Sequence, residues 1–211
     1  PLYSSAASDV YKRQVGEAGY DGIELWLNDI WEFVARGGEV SEVEKALSDH
    51  ELFVPCVIAI RQWGDFEGWE HKLVLDEAKR RFALGARLGA PYIVATPPME
   101  KTEVDHLPER YVELLEIGRA EGIKPTFEYI SFFKSVNTLW KAWEILLETN
   151  DPDATLILDA FHNWNSSSTL EDLRSIPASK ISHYHIDDAA SMIPSGKQLS
   201  LIHISEPTRP L

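Results

Sequence analysis

"TLILDAF", residues 155–161, decides the fold class. A strand with one wet face alternates apolar and polar residues, whereas this run, after Thr155, is apolar until it meets Asp159. Strands of that kind are buried on both faces, as in a parallel sheet. The pattern recurs in "GIELW" (22–26), "LFVPCVIAI" (52–60), "PYIVATP" (91–97), "KPTFEYI" (124–130) and "KISHYHI" (180–186). Amphipathic stretches separate these runs. In "LVLDEAKRRFALGARLG" (73–89), Leu75, Ala78, Phe82 and Leu88 fall on one helical stripe with charges opposite. Residues 102–122 and 136–149 repeat the theme, and Gly89 and Gly122 stand where C-terminal caps belong.

Repeating βα units predict parallel strands joined by right-handed crossovers. An open doubly wound sheet and a (β/α)8 barrel both satisfy that rule. No strand is followed by a glycine-rich phosphate loop, which weakens the nucleotide-binding version. Glu128, Asp159, His162, His185 and Asp187 gather instead at the C-terminal ends of successive strands. Barrel enzymes build their active sites there. Six βα units are legible where a closed barrel has eight. The expected architecture is therefore an α/β, partial (β/α)8 TIM barrel with the first and last strands missing.

Both ends of the chain read differently from its middle. Residues 4–14, "SSAASDVYKRQ", and 199–210, "LSLIHISEPTRP", resemble translated sequencing-adapter DNA. Gln14 to Asp9, paired in turn with Leu199 to Ile204, admit codons that are reverse complements at every step. One inverted DNA element read on both strands would produce that match. Residues 1–14 and 199–211 are accordingly taken as non-native, and 15–198 as one domain truncated at both ends. On this reading His203 and Glu206 are not ligands.

The whole chain carries 20 basic and 34 acidic residues. Setting aside Lys12, Arg13 and Arg209 with Asp9 and Glu206 leaves 17 against 32, a net charge of −15. Such a surface opposes a nucleic-acid partner, which needs its phosphates neutralised. Cys56 is the single cysteine and lies in an apolar run, so a buried thiol is expected and no disulfide framework exists. No run is long enough to cross a bilayer. A cytoplasmic enzyme is the expectation, with a preceding signal peptide and the oligomeric state left open.

Glu128, Asp159 and His185 sit at matching places on three successive strands, about one βα unit apart. Neighbouring strands lie about 4.8 Å apart, so three inward side chains at one height can converge on an ion. Two carboxylates and an imidazole suit one divalent ion such as Mn, Co or Zn. Taken singly, each acid also reads as a loop cap. Trp26 ends a strand, and Trp63 and Trp164 follow strands; each either walls a pocket or fills core. Trp140 and Trp143 lie on a helix and belong outside the barrel. His183 is expected to be a buried, hydrogen-bonded neighbour one layer below His185. Asp187 is either a loop cap or a partner to the ligands.

"GYDGIEL" (19–25), "LGAPYIVATP" (88–97), "TFEYI" (126–130), "LILDAFH" (156–162) and "HYHIDDA" (183–189) together resemble the xylose-isomerase-like barrels of sugar isomerases and epimerases. The likeness spans nearly all of 15–198. The "DxFH" strand end, "NTL" at 137–139 and "YHIDD" are most similar to the inosose-isomerase branch, whose members interconvert keto-inositols. The resemblance implies Glu128, Asp159 and His185 as metal ligands and His162 as a contact to substrate oxygens. Alternatively, His162 merely fastens its loop. The family's fourth ligand, a glutamate on the last strand, has no counterpart here. Some epimerases carry an arginine shortly after the histidine of strand seven, and "DDAASM" (187–192) has none.

The implied activity moves a proton beside a ketone of a sugar or cyclitol through an enediolate. A metal stabilises the developing charge as a Lewis acid. Glu128 is the candidate base that takes and returns the proton. Two other readings stand beside this one. An AP-endonuclease-like DNA-repair barrel would need more His and Glu ligands and a basic face. A non-catalytic sugar-binding barrel would keep the pocket and lose the turnover. With a ligand and a base unmatched, the 211-residue chain is expected to bind metal weakly and to show no isomerisation. Turnover of inosose at a rate near that of a full-length isomerase would refute this.

Overall fold

The computed structural model describes residues 14–101 and 103–186. The two terminal segments and Asp187 lie outside the described residues. Six parallel strands stand side by side in chain order: β1 (Leu25–Trp26), β2 (Cys56–Ile60), β3 (Tyr92–Ala95), β4 (Lys124–Glu128), β5 (Thr155–Asp159) and β6 (Ile181–His185). Helices α1 (Leu27–Ala35) and α2 (Val40–Asp49) follow β1. Then α3 (Gly68–Arg87) follows β2, α4 (Leu107–Glu121) follows β3, and α5 (Leu139–Thr149) follows β4. Two short helices, α6 (Ala160–Trp164) and α7 (Leu170–Ser175), lead from β5 to β6.

Chain-order pairing separates the two candidate architectures. A doubly wound sheet reverses its strand order partway and carries helices on both faces. Here every crossover runs the same way, so the helices share one face and the sheet curls toward a ring. Glu24, just ahead of β1, reaches His185 at the end of β6, 161 residues away, at 2.8 Å. The described residues form a partial (β/α)8 barrel.

Strands β2, β3 and β5 are buried from two sides, which is why their sequences are almost all apolar, whereas β6 has no fully buried residue. Val57, Ile60, Ile93, Ala95, Phe127, Leu156 and Leu158 pack outward with the helices in one core. Cys56, Ala59, Val94 and Ile157 form a smaller cluster of their own, with Ile58 and Tyr92 against it, on the lumen side. Cys56 is free and fully buried, and burial pushes its thiol well above the usual range.

Helix positions follow from local chemistry. On α3, Ala78 and Phe82 are buried with Leu88 just beyond them, while Leu75 packs against the core. The helix starts at Gly68, ahead of the amphipathic signal at residue 73; Gly68, Trp69 and Glu70 are exposed and show no stripe, and His71 is its first buried residue. Pro108 fits only the first turn, where a missing N–H costs nothing, so α4 begins at Leu107. The Thr138 hydroxyl accepts from the Lys141 N–H at 3.3 Å and sets the start of α5 at Leu139. Gly122 ends α4 at φ 78°, the left-handed conformation that glycine adopts without strain. The first strand is shorter than "GIELW". Only Leu25 and Trp26 pair with β2, and a single bridge joins Gly22 to Phe53.

An aromatic trio locks the wall to the helices. Trp63, Tyr111 and Phe127 are fully buried with ring centroids 5.5–5.9 Å apart. Trp63 donates its indole N–H to the Thr96 carbonyl at 2.7 Å, and Tyr111 donates its hydroxyl to the Pro125 carbonyl at 2.9 Å. Trp63 therefore presents no face to a substrate. Its loop folds back under the rim and uses the indole as core. Trp143 also packs against the core, and Trp140 is exposed on the outside of α5.

Gly118 on α4 passes so close to the wall that a Cβ there would sit 2.4 Å from the Ile123 carbonyl oxygen and 3.0 Å from Pro125 Cδ. Backbone cannot yield as a flexible side chain does. Gly118→Ala is expected to destabilise the chain by about 1–3 kcal/mol, read as a lower denaturant midpoint with an unchanged slope.

Candidate metal centre

Three strands end on the residues of interest. Glu128 is the last residue of β4, Asp159 of β5 and His185 of β6. Asp159 and His185 are direct register partners, and Glu128 pairs with Ile157 one layer below them. Ile157 belongs to the lumen cluster, so Asp159, two residues on, faces the lumen as well.

A bulge brings β6 into line. Leu156 pairs with Ile181, but Ile157 pairs with His183, so Ser182 is an extra residue. Ile181 packs outward against the helical core; without the bulge, His183 and His185 would share its side. Ser182 is held by its own bonds, donating to the Leu156 carbonyl at 3.1 Å and meeting the Thr126 hydroxyl at 2.7 Å. Both histidines consequently turn inward, while Tyr184 is exposed.

The donor atoms of Glu128, Asp159 and His185 lie within 4.8 Å of one another. His185 Nδ1 is 3.7 Å from Glu128 Oε1 and 3.7 Å from Asp159 Oδ2. Tetrahedral ligands at 2.0–2.2 Å from an ion would stand about 3.4 Å apart, so small adjustments close these atoms around one cation. The other oxygen of Asp159 accepts the His162 backbone N–H at 2.9 Å and caps α6. The strand-end acid thus serves both readings open to it: it caps a helix and faces the cluster.

Glu24 is the residue that sequence reasoning missed. Its Oε2 meets His185 Nε2 at 2.8 Å, and its Oε1 lies 3.7 Å from His183 Nε2. Glu24, His183 and His185 form a second group with metal-ligand spacing. The available signal was an acid inside the apolar run "GIELW", the same signal that marked Glu128. Its partner is 161 residues away, which no local pattern reveals.

Charge dominates this small volume. Burial opposes ionisation of Glu24, but the neighbouring imidazoles of His183 and His185 outweigh it and hold its carboxyl at about 2. Burial likewise opposes charge on His185. The neighbouring carboxylates of Asp159, Glu128 and Glu24 override that and push its imidazole up to about 12. Three carboxylates around one ring demand a cation, and a proton or a divalent ion can meet that demand. The donor set, carboxylate oxygens plus one imidazole nitrogen, fits a divalent ion.

The remaining expected residues lie around this cluster. His162 is buried; its Nδ1 meets the Ser131 hydroxyl at 3.2 Å, and Phe132 and Phe161 stand within 5.6 Å of its ring. Trp26 is half exposed, with the Arg61 guanidinium 5.5 Å over its ring. Trp164 is also half exposed and packs at a tilt against Phe161, with ring centroids 6.3 Å apart. His183 is only partly buried, where a buried neighbour is expected, and Ser182 Oγ lies 3.1 Å from its Nδ1.

Comparison with known proteins places this geometry. Residues 13–205 match a family described as xylose isomerase-like TIM barrel. The inosose isomerase of Bacillus subtilis is 32% identical over 129 residues, covering 56% of this chain and 45% of that protein. The 3-dehydroshikimate dehydratase of Pseudomonas aeruginosa is 24% identical over 181 residues, covering 83% of this chain but 28% of that protein. The chain thus spans less than two thirds of the length of these curated relatives. Among solved structures, the IOLI protein with a bound zinc atom superposes with a TM-score of 0.77 at 25% identity, covering 87% of this chain and 68% of that one. The 3-keto-D-glucoside 4-epimerase YcjR of E. coli gives 0.69 at 20% identity, covering 89% and 76%, a likeness of fold alone. With the family match running through every strand from β1 to β6, the chain belongs to the xylose isomerase-like TIM barrel family.

Proposed function

We propose that this barrel is the ion-holding, proton-moving domain of a divalent-metal-dependent isomerase or epimerase acting on a sugar or keto-cyclitol. The observation that carries the reading is the convergence of Glu128, Asp159 and His185 within 4.8 Å at the C-terminal ends of three neighbouring strands. Support for inosose as the substrate comes from the B. subtilis relative, and support for zinc from the zinc-bearing IOLI structure. Mn and Co suit the same donors.

In this reading Glu128, Asp159 and the Nδ1 of His185 hold the ion. When bound, it supplies Lewis-acid stabilisation of the negative charge that develops on substrate oxygens. Glu128 also lies closest to the role of base, taking the proton beside the carbonyl and returning it to a neighbouring position. Ser131 occupies Nδ1 of His162, which leaves Nε2 for a substrate hydroxyl. The half-exposed indoles of Trp26 and Trp164 cover the C–H face of the ring and exclude water. The excess of 34 acidic over 20 basic residues opposes the DNA-repair alternative.

A second reading comes from the dehydratase relative, which covers more of this chain than the B. subtilis isomerase does. Removal of a proton next to a ketone begins either reaction. The two then diverge: an isomerase returns the proton, and a dehydratase expels hydroxide as water.

Calorimetric titration of the metal-free chain with Zn²⁺, Mn²⁺ and Co²⁺ is expected to show one ion per chain. Asp159→Asn and His185→Ala are each expected to weaken binding more than the roughly 10–100-fold that an outer-shell loss costs. Equal affinity in these variants would remove the site. A polypeptide extended to the relatives' full length, incubated with inosose in D2O, is expected to place deuterium beside the carbonyl without loss of water. Glu128→Gln should suppress that exchange. Accumulation of an unsaturated product instead would select dehydration.

A further inference from the structure

Resting on the ion site proposed above, we propose that Glu24 is a positioning residue for it. Its carboxylate accepts the Nε2–H of His185 and so leaves the Nδ1 lone pair aimed at Glu128 and Asp159. The two ring nitrogens of His185 have different surroundings. Nε2 is 2.8 Å from Glu24 Oε2, the length of a charge-assisted hydrogen bond. Nδ1 is 3.7 Å from each of the two other carboxylates, too long for hydrogen bonds and close to the spacing of ligands around one ion. A neutral imidazole carries one proton, and the nitrogen that holds it cannot ligate. Fixing that proton on Nε2 decides which nitrogen faces the ion.

Glu24 is well placed to do this because it comes from the far side of the ring. It precedes β1, whereas all three ligands stand on β4, β5 and β6. The contact ties barrel curvature to ligand orientation: a wall that opened would release the ring of His185. The competing use of Glu24 is as a direct ligand, in a second ion site with His183 and His185. Its 2.8 Å approach to Nε2 argues against that use, because two ligands of one tetrahedral ion stand about 3.4 Å apart. The second oxygen, Oε1, is buried without a hydrogen-bond partner and faces His183 Nε2, itself buried and unpartnered, at 3.7 Å.

The test uses the 211-residue chain with Zn²⁺ alone. Nitrogen-15 spectra of the zinc-loaded, histidine-labelled chain are expected to show His185 coordinated through Nδ1 and protonated at Nε2. Coordination through Nε2 overturns the proposal without recourse to any variant. Glu24→Gln is expected to weaken zinc binding about 10–100-fold at unchanged stoichiometry and thermal midpoint, with Glu24→Asp recovering part of the loss. Wild-type affinity in Glu24→Gln, with Asp159→Asn still impaired, would make Glu24 merely structural while leaving the ion site intact. Two zinc ions per wild-type chain, falling to one in Glu24→Gln, would make Glu24 a ligand and overturn the proposal. No zinc binding by the wild-type chain at millimolar concentration would end the ion site itself, and this inference with it.

Discussion

Strand register is the constraint on which the rest depends. A parallel ladder fixes which residues stand level, and one residue of slip turns a side chain to the other face. The cluster exists because β5 and β6 are offset by a single bulged residue, Ser182. Ile181 belongs to the outer core, and His183 and His185 belong to the lumen, although their two-residue spacing would put all three together. The bonds of Ser182 to the Leu156 carbonyl and the Thr126 hydroxyl hold the irregularity in place. Bulges of this kind re-aim side chains next to active sites, and here the re-aimed residue is His185.

The same register creates an electrostatic cost. Glu24, Glu128 and Asp159 are brought from water into a partly enclosed lumen around a single imidazole. Buried charge is expensive unless paired, and apolar residues at these positions would serve a barrel's stability better. In the ion-free chain His185 carries the compensating charge, which is why its imidazole is pushed so far up and the Glu24 carboxyl so far down. Such opposed shifts in one cleft are a mark of function. A cation-shaped demand built from residues on four different strand ends is hard to explain as packing.

The readable part of this protein is whatever short-range physics decides. All six strands lie inside the runs marked in the sequence, and for β2, β3 and β5 the reason is burial on both faces, which leaves little room for polar residues. Glu128, Asp159 and His185 stood out because an ionisable group ending such a run needs a reason. Helix ends were less legible: Pro108 and the Thr138 cap decide two of them, and amphipathic periodicity does not report caps. Trp63 was not legible at all, because whether a loop indole faces a pocket or folds under the rim is settled by tertiary contacts with Tyr111 and Phe127. Glu24 failed for a related reason. Alternation along a strand says which side a residue faces, but not which residue meets it across a curved sheet.

The division between wall and rim explains how distant relatives can share so much of this structure. Residues fixed by register set the reaction class, because they decide where positive charge sits and where a proton can go. Rim loops decide what enters, and in this chain the rim carries Trp26 beneath Arg61 and Trp164 against Phe161. The relatives named isomerase and dehydratase are 32% and 24% identical to this chain, and on the reading proposed above the two reactions would differ in what becomes of the carbon once its proton is gone. That outcome depends on whether a leaving hydroxyl finds an acid nearby, which is a property of loops and not of the ladder. On the proposed reading, strand ends that make a carbonyl-adjacent proton labile would suffice for both lines, and the choice between them would lie in the groups that meet the substrate from above.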